Sequence, residues 1–455
     1  MSTFKRSLLF LVPYSIRHRL LGISSTHKQI ASGMLKVGIF ILIAKTIGLV
    51  KEMVIAAHFG VNEAVDAYLL VFNLVNYPVN VWLSVMSAVL IPFLVSIRTH
   101  SHPERSNRFL RELLGATILA ALGLGLALAF LLPWLVAKPW LNLNNQQIIF
   151  AHQMALPLAW LASFGLINGL FSTWTMAANR HVNTLFESAP ALMIVCAVML
   201  VGSAGALAWG VLAGFALQTI LLAVTLMHFR ELVMPTFRFR SYYWKPFISG
   251  AGIMLLGQMF ISAGNTVDHL FAARLGPGAI STLGYANRVV ALILSLGATS
   301  IGRAILPVLS RISTHENRKL NRIVFQWSGL LFGGGVLVVG IGYLGAPLAI
   351  KILFERGAFS AQDSEAVVGV FRFGLAQIPV YFASMVAVYA LLSRKEFKLV
   401  AFIAFVAFAV KVVILPLMTL RFGVNGIPLS NMFVYTSSTL IALFRLTYVC
   451  REQTS

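Results

Sequence analysis

The chain has 455 residues, is 58% hydrophobic and carries charge on only 11% of them. A soluble domain of that length needs far more surface charge, and apolar stretches long enough to cross ~30 Å of hydrocarbon recur throughout, so the chain is read as an all-α membrane protein. The formal net charge of +21 follows membrane topology in its distribution, so no nucleic acid is expected as a partner.

Residues 1–30 are basic and partly apolar; the run Leu8–Val12 is too short for a signal peptide, and an amphipathic extension on the cytoplasmic leaflet is expected. Twelve helices are then predicted near 31–51, 65–97, 109–137, 150–177, 182–202, 205–228, 246–273, 279–310, 322–353, 364–393, 397–419 and 425–449. They divide into an N-terminal six-helix bundle over 31–228, a cytoplasmic linker over 229–245, a C-terminal six-helix bundle over 246–450 and a tail over 451–455.

The loops on one side, together with both termini, hold 22 basic residues, and the other side holds 6. The positive-inside rule therefore places both termini in the cytoplasm, beside anionic lipid. Cys196 and Cys450 give neither a disulfide framework nor a metal-ligand spacing, and no metal is expected. There is no Walker A loop, no HExxH and no GxSxG, so an ATP-driven pump and the common hydrolases have no support, and no cofactor is expected beyond a coupling Na+ or H+.

The halves carry matching signals. AAHFG at 56–60 corresponds to AARLG at 272–276, Ile91-Pro92 to Leu306-Pro307, and Asn179-Arg180 to Ser393-Arg394, all offset by 214 to 216 residues. An even number of helices per half makes the repeats parallel, the arrangement in which substrate is held between halves that rock to alternate access.

Ionisable residues inside membrane helices are expensive and mark cavities or ion pairs. Here they are Lys45, Lys51 and Glu52 on the first helix, Asp66 at the start of the second, Arg288 on the eighth, Arg372 on the tenth and Lys411 on the eleventh. Cations dominate, which suits an anionic group such as a pyrophosphate; the competing reading is that each cation pairs with Glu52, Asp66 or a carbonyl and only fixes packing. Asn265 and Asp268 on the seventh helix are the candidate pair for a coupling cation, against the plainer reading of an interfacial polar cap. Glu187 and Arg303 lie near the cytoplasmic edge and are read as structural.

Several segments resemble a known family. LFERGAF at 353–359 with Gln362-Asp363-Ser364, LAWGVLAGFALQ at 207–218, KTIGLVKEMVIAAHFG at 45–60 followed by Val65-Asp66-Ala67-Tyr68, and GYANR at 284–288 are similar to motifs of the MurJ/MviN lipid II flippases. Drug exporters of the MATE class and O-antigen flippases belong to the same superfamily. The resemblance covers roughly 31–450. It implies two six-helix bundles forming a V around a central cationic cavity, and export of a polyprenyl-pyrophosphate sugar driven by an ion gradient or the membrane potential. By position it puts Lys45, Lys51, Asp66 and Arg288 on the cavity wall, with Lys45 and Lys51 where the family has arginine and Glu52 where it has aspartate. Val79-Asn80 stand where relatives carry a helix-two arginine, Ala291 stands where they carry an acidic residue, and the family's two further C-terminal helices have no counterpart before Ser455.

Three classes follow. The leading one is a flippase for a lipid-linked saccharide, either a lipid II-like peptidoglycan precursor or an exopolysaccharide or O-antigen unit, working as a monomer in a bacterial inner membrane. A MATE-like exporter of small organic cations is the alternative, and a cationic cavity opposes it because like charges repel strongly at low dielectric. A membrane enzyme is the third; it would want acidic or histidine pairs in large outer loops, and the loops are short.

Overall fold

The computed structural model describes residues 25–100, 103–177, 183–310, 312, 317–394 and 396–452. Residues 1–24 of the expected basic extension lie outside the described residues, and Ser25 already opens the first helix. Among the described residues twelve helices of at least 13 residues, two of them interrupted, follow in chain order, and no β-strand occurs.

The N-terminal bundle consists of α1 (Ser25–Phe59), α2 (63–100), α3 (Pro103–Val136), α4 (Asn145–Ala177), α5 (Ala189–Val201) and α6 (Gly205–His228). The C-terminal bundle consists of α7 (Trp244–Ala273), α8 (Ala279–Ser310), α9 (Asn317–Phe354), α10 (361–393, in two segments), α11 (Phe397–Phe422) and α12 (Gly426–Glu452). Nine stretches among the described residues are long and apolar enough to cross a bilayer; the last, Phe397–Tyr448, contains both α11 and α12, while α1 and the shorter α5 fall outside the nine.

The two bundles repeat one packing scheme. In the first, α4 is the hub against α2, α3 and α6, while α5 packs on α6 and on α1. In the second, α10 is the hub against α8, α9 and α12, while α11 packs on α12 and on α7. Each pairing has its counterpart six helices later, as the constant sequence offset predicts. Pro92 and Pro307 fall in the corresponding helices α2 and α8.

Small residues set the close approaches. The Gly210 and Gly214 pair of LAWGVLAG lies where α6 meets α5. A Cβ on Gly214 would come within 2.3 Å of Pro190 Cα, and one on Gly210 within 2.8 Å of Ala197 Cβ. Gln218, which closes that segment, accepts from Asn168 Nδ2 on α4 at 3.3 Å, and Thr219 donates to Asn168 Oδ1 at 2.8 Å. Such bonds join helices where lipid cannot satisfy polar groups. Helix α2 widens into a π turn at Met86–Leu90, just ahead of Pro92. Proline has no N–H to donate and its ring crowds the carbonyl four residues back, so the preceding turn loosens.

Between bundles, α2 packs along α7, with Tyr77 donating to the Met259 carbonyl at 3.4 Å. Its counterpart seam, α1 against α8, flanks a cavity. The linker between the bundles crosses the start of α3. Buried Glu112 accepts there from Ser241 N–H at 2.9 Å and Trp244 Nε1 at 2.8 Å, and pairs with Arg108 at 3.2 Å.

Candidate functional site

The segments singled out in the sequence converge at the end of the molecule where α1 stops. Gly60 and Gly357 both hold the left-handed conformation at φ +61°, which a side chain rarely adopts. Ala358 N–H donates to the Ala57 carbonyl at 2.8 Å, closing the tip of α1 onto the α9–α10 loop. A Cβ on Gly357 would come within 2.2 Å of that carbonyl. Tyr285 of α8 donates to the Gly60 carbonyl at 3.0 Å, with the rings of Phe354 and Phe359 each 5.3 Å away. Ser360 and Asp363 exchange bonds of 3.1 and 2.9 Å as the capping box of α10.

Asp66 completes this joint. Its Oδ2 accepts from Gln147 Nε2 at 2.9 Å and from Gly278 N–H at 2.5 Å, and its Oδ1 accepts from Ser281 N–H at 2.7 Å. A carboxylate of the N-terminal bundle thus caps the first turn of α8, where orphan N–H groups and the helix dipole favour negative charge. Asp66 is 0% exposed. Its expected place on the cavity wall is corrected: its oxygens are engaged in the joint between the bundles.

Inside this joint, a cavity of about 280 Å³ opens between α1 and α8. Lys45, Gly48, Lys51 and Glu52 form one wall, Arg288, Ala291 and Leu292 the other, with Glu187 at the side. Glu52 is the hub, its Oε1 lying 2.7 Å from Lys51 Nζ and 2.9 Å from Arg288 Nε. Lys51 and Glu52 are nearly buried, whereas the Arg288 side chain is 44% exposed and Lys45 is exposed. A carboxylate thus holds two cations in place from below, while Arg288 and Lys45 present charge to the open space. A second cavity of about 360 Å³ shares Lys51, Glu187 and Arg288 and continues along α2 past Asn76, Val79 and Asn80. A third, of about 200 Å³, reaches from Arg288 and Ala291 to Asn265, Asp268 and His269.

Two of the predicted cavity cations lie elsewhere. Arg372 Nε donates to the Tyr343 carbonyl at 3.2 Å, and its guanidinium sits 4.4 Å from the Tyr343 ring. Tyr343 is half exposed on α9, so Arg372 covers the α9–α10 surface and does not join Arg288. Lys411 is buried within the C-terminal bundle, 2.6 Å from Asp268 Oδ1 and 2.5 Å from Asn431 Oδ1. It lines an aromatic-rich cavity of about 420 Å³ between α7, α10, α11 and α12. Asp268 therefore faces an ammonium of its own chain. Asn265, one turn earlier, lines both the 200 Å³ and the 420 Å³ cavities.

Three residues of these sites carried little sequence signal. Glu187, read as structural, lies in the break before α5 and reaches the main cavity. Gln147 and Asn431 are uncharged, so a search for membrane charges passes over them; a search for polar amides within apolar helices finds Asn431. The side chain of Arg303 lies outside the described residues.

Two six-helix repeats with a charged cavity between them define a multi-pass membrane protein of the repeated-bundle class. Residues 55–450 match the family described as lipid II flippase MurJ, and the chain belongs to that family. A probable lipid II flippase MurJ of Bdellovibrio bacteriovorus is 31% identical over 231 residues, covering 50% of this chain and 43% of that protein. The Vibrio cholerae homologue is 23% identical, covering 74% of this chain and 68% of its own length. The chain thus matches between under half and about two thirds of the length of these curated relatives.

Among solved structures, a lipid II flippase MurJ in an inward closed conformation superposes with a TM-score of 0.79 at 19% identity, covering 91% of this chain and 87% of that one. An inward-facing MATE multidrug transporter superposes at 0.71 with 13% identity, covering 90% and 96%. Both likenesses are of fold.

Proposed function

We propose that this chain moves a polyprenyl-pyrophosphate-linked saccharide, either lipid II or a related exopolysaccharide or O-antigen unit, from the inner to the outer leaflet of a bacterial inner membrane. It works as a monomer by alternating access, with both termini cytoplasmic, and draws on an ion gradient or the membrane potential. The observation that carries this reading is the cavity between α1 and α8, where Lys45, Lys51 and Arg288 outnumber Glu52 and Glu187. A pyrophosphate entering beside Arg288 and Lys45 meets a planar donor fork and a mobile ammonium. It competes with Glu52 for Arg288, so binding loosens the ion pair that links α1 to α8. The same excess of cations disfavours the alternative reading, a MATE-like exporter of small organic cations.

The test is transport of labelled lipid II into vesicles containing the purified protein. Lys45→Ala and Arg288→Ala each remove a charge-assisted bond worth ~1.5–3 kcal/mol, so transport should fall ~10–100-fold at normal expression. Arg288→Lys should recover part of it. An alanine variant at either position that transports like wild type sinks the pyrophosphate clamp. Orientation is checked by labelling single cysteines, with Asn144→Cys reached from outside and Asn107→Cys from the cytoplasm; reversed labelling overturns it.

A further inference from the structure

The contact between Asp268 and Lys411 lies outside the proposed substrate clamp. Asp268 is on α7, Lys411 on α11 and Asn431 on α12, so three helices of one bundle meet at one ammonium. Lys411 and Asp268 are 2% and 4% exposed. An anionic oxygen and an amide carbonyl oxygen both approach a single positive centre. That donor chemistry is the one a small hard cation selects, anionic and carbonyl oxygens at short range. A lysine ammonium is a compact monovalent charge on a flexible stem, able to fill such a place from within the chain.

The place is also reachable. The 200 Å³ cavity extends from Arg288 to Asp268 and Asn265, while the 420 Å³ cavity meets Lys411, Asn431 and Asn265 from the other side. With the lysine head group gone, water and a small ion could enter from either.

We propose that Asp268 and Asn431 form a monovalent-cation seat that the chain fills with its own Lys411 ammonium. The tethered charge keeps α7, α11 and α12 together permanently, and the C-terminal bundle takes up no free coupling cation at Asp268. Whatever gradient drives the proposed transport acts elsewhere. This inference stands apart from the lipid reading, because it is tested by cation binding without lipid substrate.

The experiment compares purified full-length protein in NaCl and in choline chloride at equal ionic strength, reading the thermal midpoint and bound radioactive sodium. Wild type should show the same midpoint in both salts and no saturable sodium binding. Lys411→Met should melt earlier in choline chloride, regain several degrees in NaCl, and bind close to one equivalent of sodium. Lys411→Met with Asp268→Asn should lose the sodium response. Saturable sodium binding by wild type that Asp268→Asn abolishes would overturn the proposal. So would a folded Lys411→Met protein indifferent to sodium. Should Lys411→Met fail to accumulate, Lys411→Gln, which keeps a polar head group beside Asp268, is measured against the same two criteria.

Discussion

Glu52 and Asp268 stand 216 residues apart, the offset that also separates Ala56 from Ala272. Each is a buried carboxylate near the end of the first helix of its bundle. Glu52 looks outward, holding its neighbour Lys51 and reaching across the seam to Arg288 of the other bundle. Asp268 looks inward, to Lys411 on the penultimate helix of its own bundle. One repeat position has been put to opposite uses. The Glu52 pairing borders open space and joins two bodies, so a competing anion can break it. The Asp268 pairing joins helices of one body through two side chains that are almost fully buried, so the proposed transport leaves it in place.

The difference can be attacked from both sides. Asp268→Asn or Lys411→Met alone should give the largest loss of stability, ~3–5 kcal/mol by denaturant unfolding in detergent, because each strands a buried charge. The double replacement should recover most of it. If the double variant is as unstable as the sum of the singles, the two residues are not a unit. Glu52→Gln should act differently, lowering flipping of labelled lipid ~10-fold or more while leaving unfolding within ~1–2 kcal/mol of wild type, since Arg288 is exposed enough to be solvated and Lys51 borders the same cavity. Equal unfolding losses at Glu52 and Asp268 would erase the distinction between a movable and a fixed pair.

The joint where the bundles meet supplies a smaller effect. Gly357→Ala puts a Cβ 2.2 Å from the Ala57 carbonyl in a left-handed backbone. It should cost ~1–3 kcal/mol and raise labelling of a cysteine placed at Val61. Unchanged labelling would mean that the α9–α10 loop does not hold the tip of α1. Smallest of all, Arg372→Ala removes a carbonyl bond and an exposed ring contact on Tyr343. It should cost ~0.5–1 kcal/mol and leave transport unchanged. A transport defect there would bring Arg372 back to the substrate path.

Much of this was legible in the sequence because membranes are strict. Length and hydropathy yield the helices, and the offset of AAHFG and AARLG foretells the corresponding packing schemes. Lys45, Lys51 and Arg288 could be nominated because charge is costly in lipid, and the structure brings them to one cavity. The same rule nominates Asp66, Arg372 and Lys411 equally, since cost says a charge needs a partner without saying whether that partner is a ligand, a helix end, a ring or another side chain. Asp66 found N–H groups of α8, which lie 212 and 215 residues away. No local pattern announces a pairing of that range. Glu187 escaped for another reason: the sequence puts it near the cytoplasmic edge of a helix expected over 182–202, where a carboxylate can reach water, and the structure breaks that helix between Phe186 and Ala189.

The widened turn at Met86–Leu90 gives α2 one residue more than a regular helix needs to cover the same rise. Val85, Met86, Leu90, Leu94 and Ile97 are all buried on both sides of it. The turn therefore acts as a spacer that lets the two segments of α2 aim their apolar faces at the same neighbours. Removing a single residue from 86–90 would restore a regular spiral and leave the remainder of the helix in its present orientation. Leu94 and Ile97 would still face the core. A one-residue gap in this stretch of an aligned relative would thus signify a regular turn with the buried face kept, whereas a gap of equal size elsewhere in α2 would turn everything beyond it by ~100°.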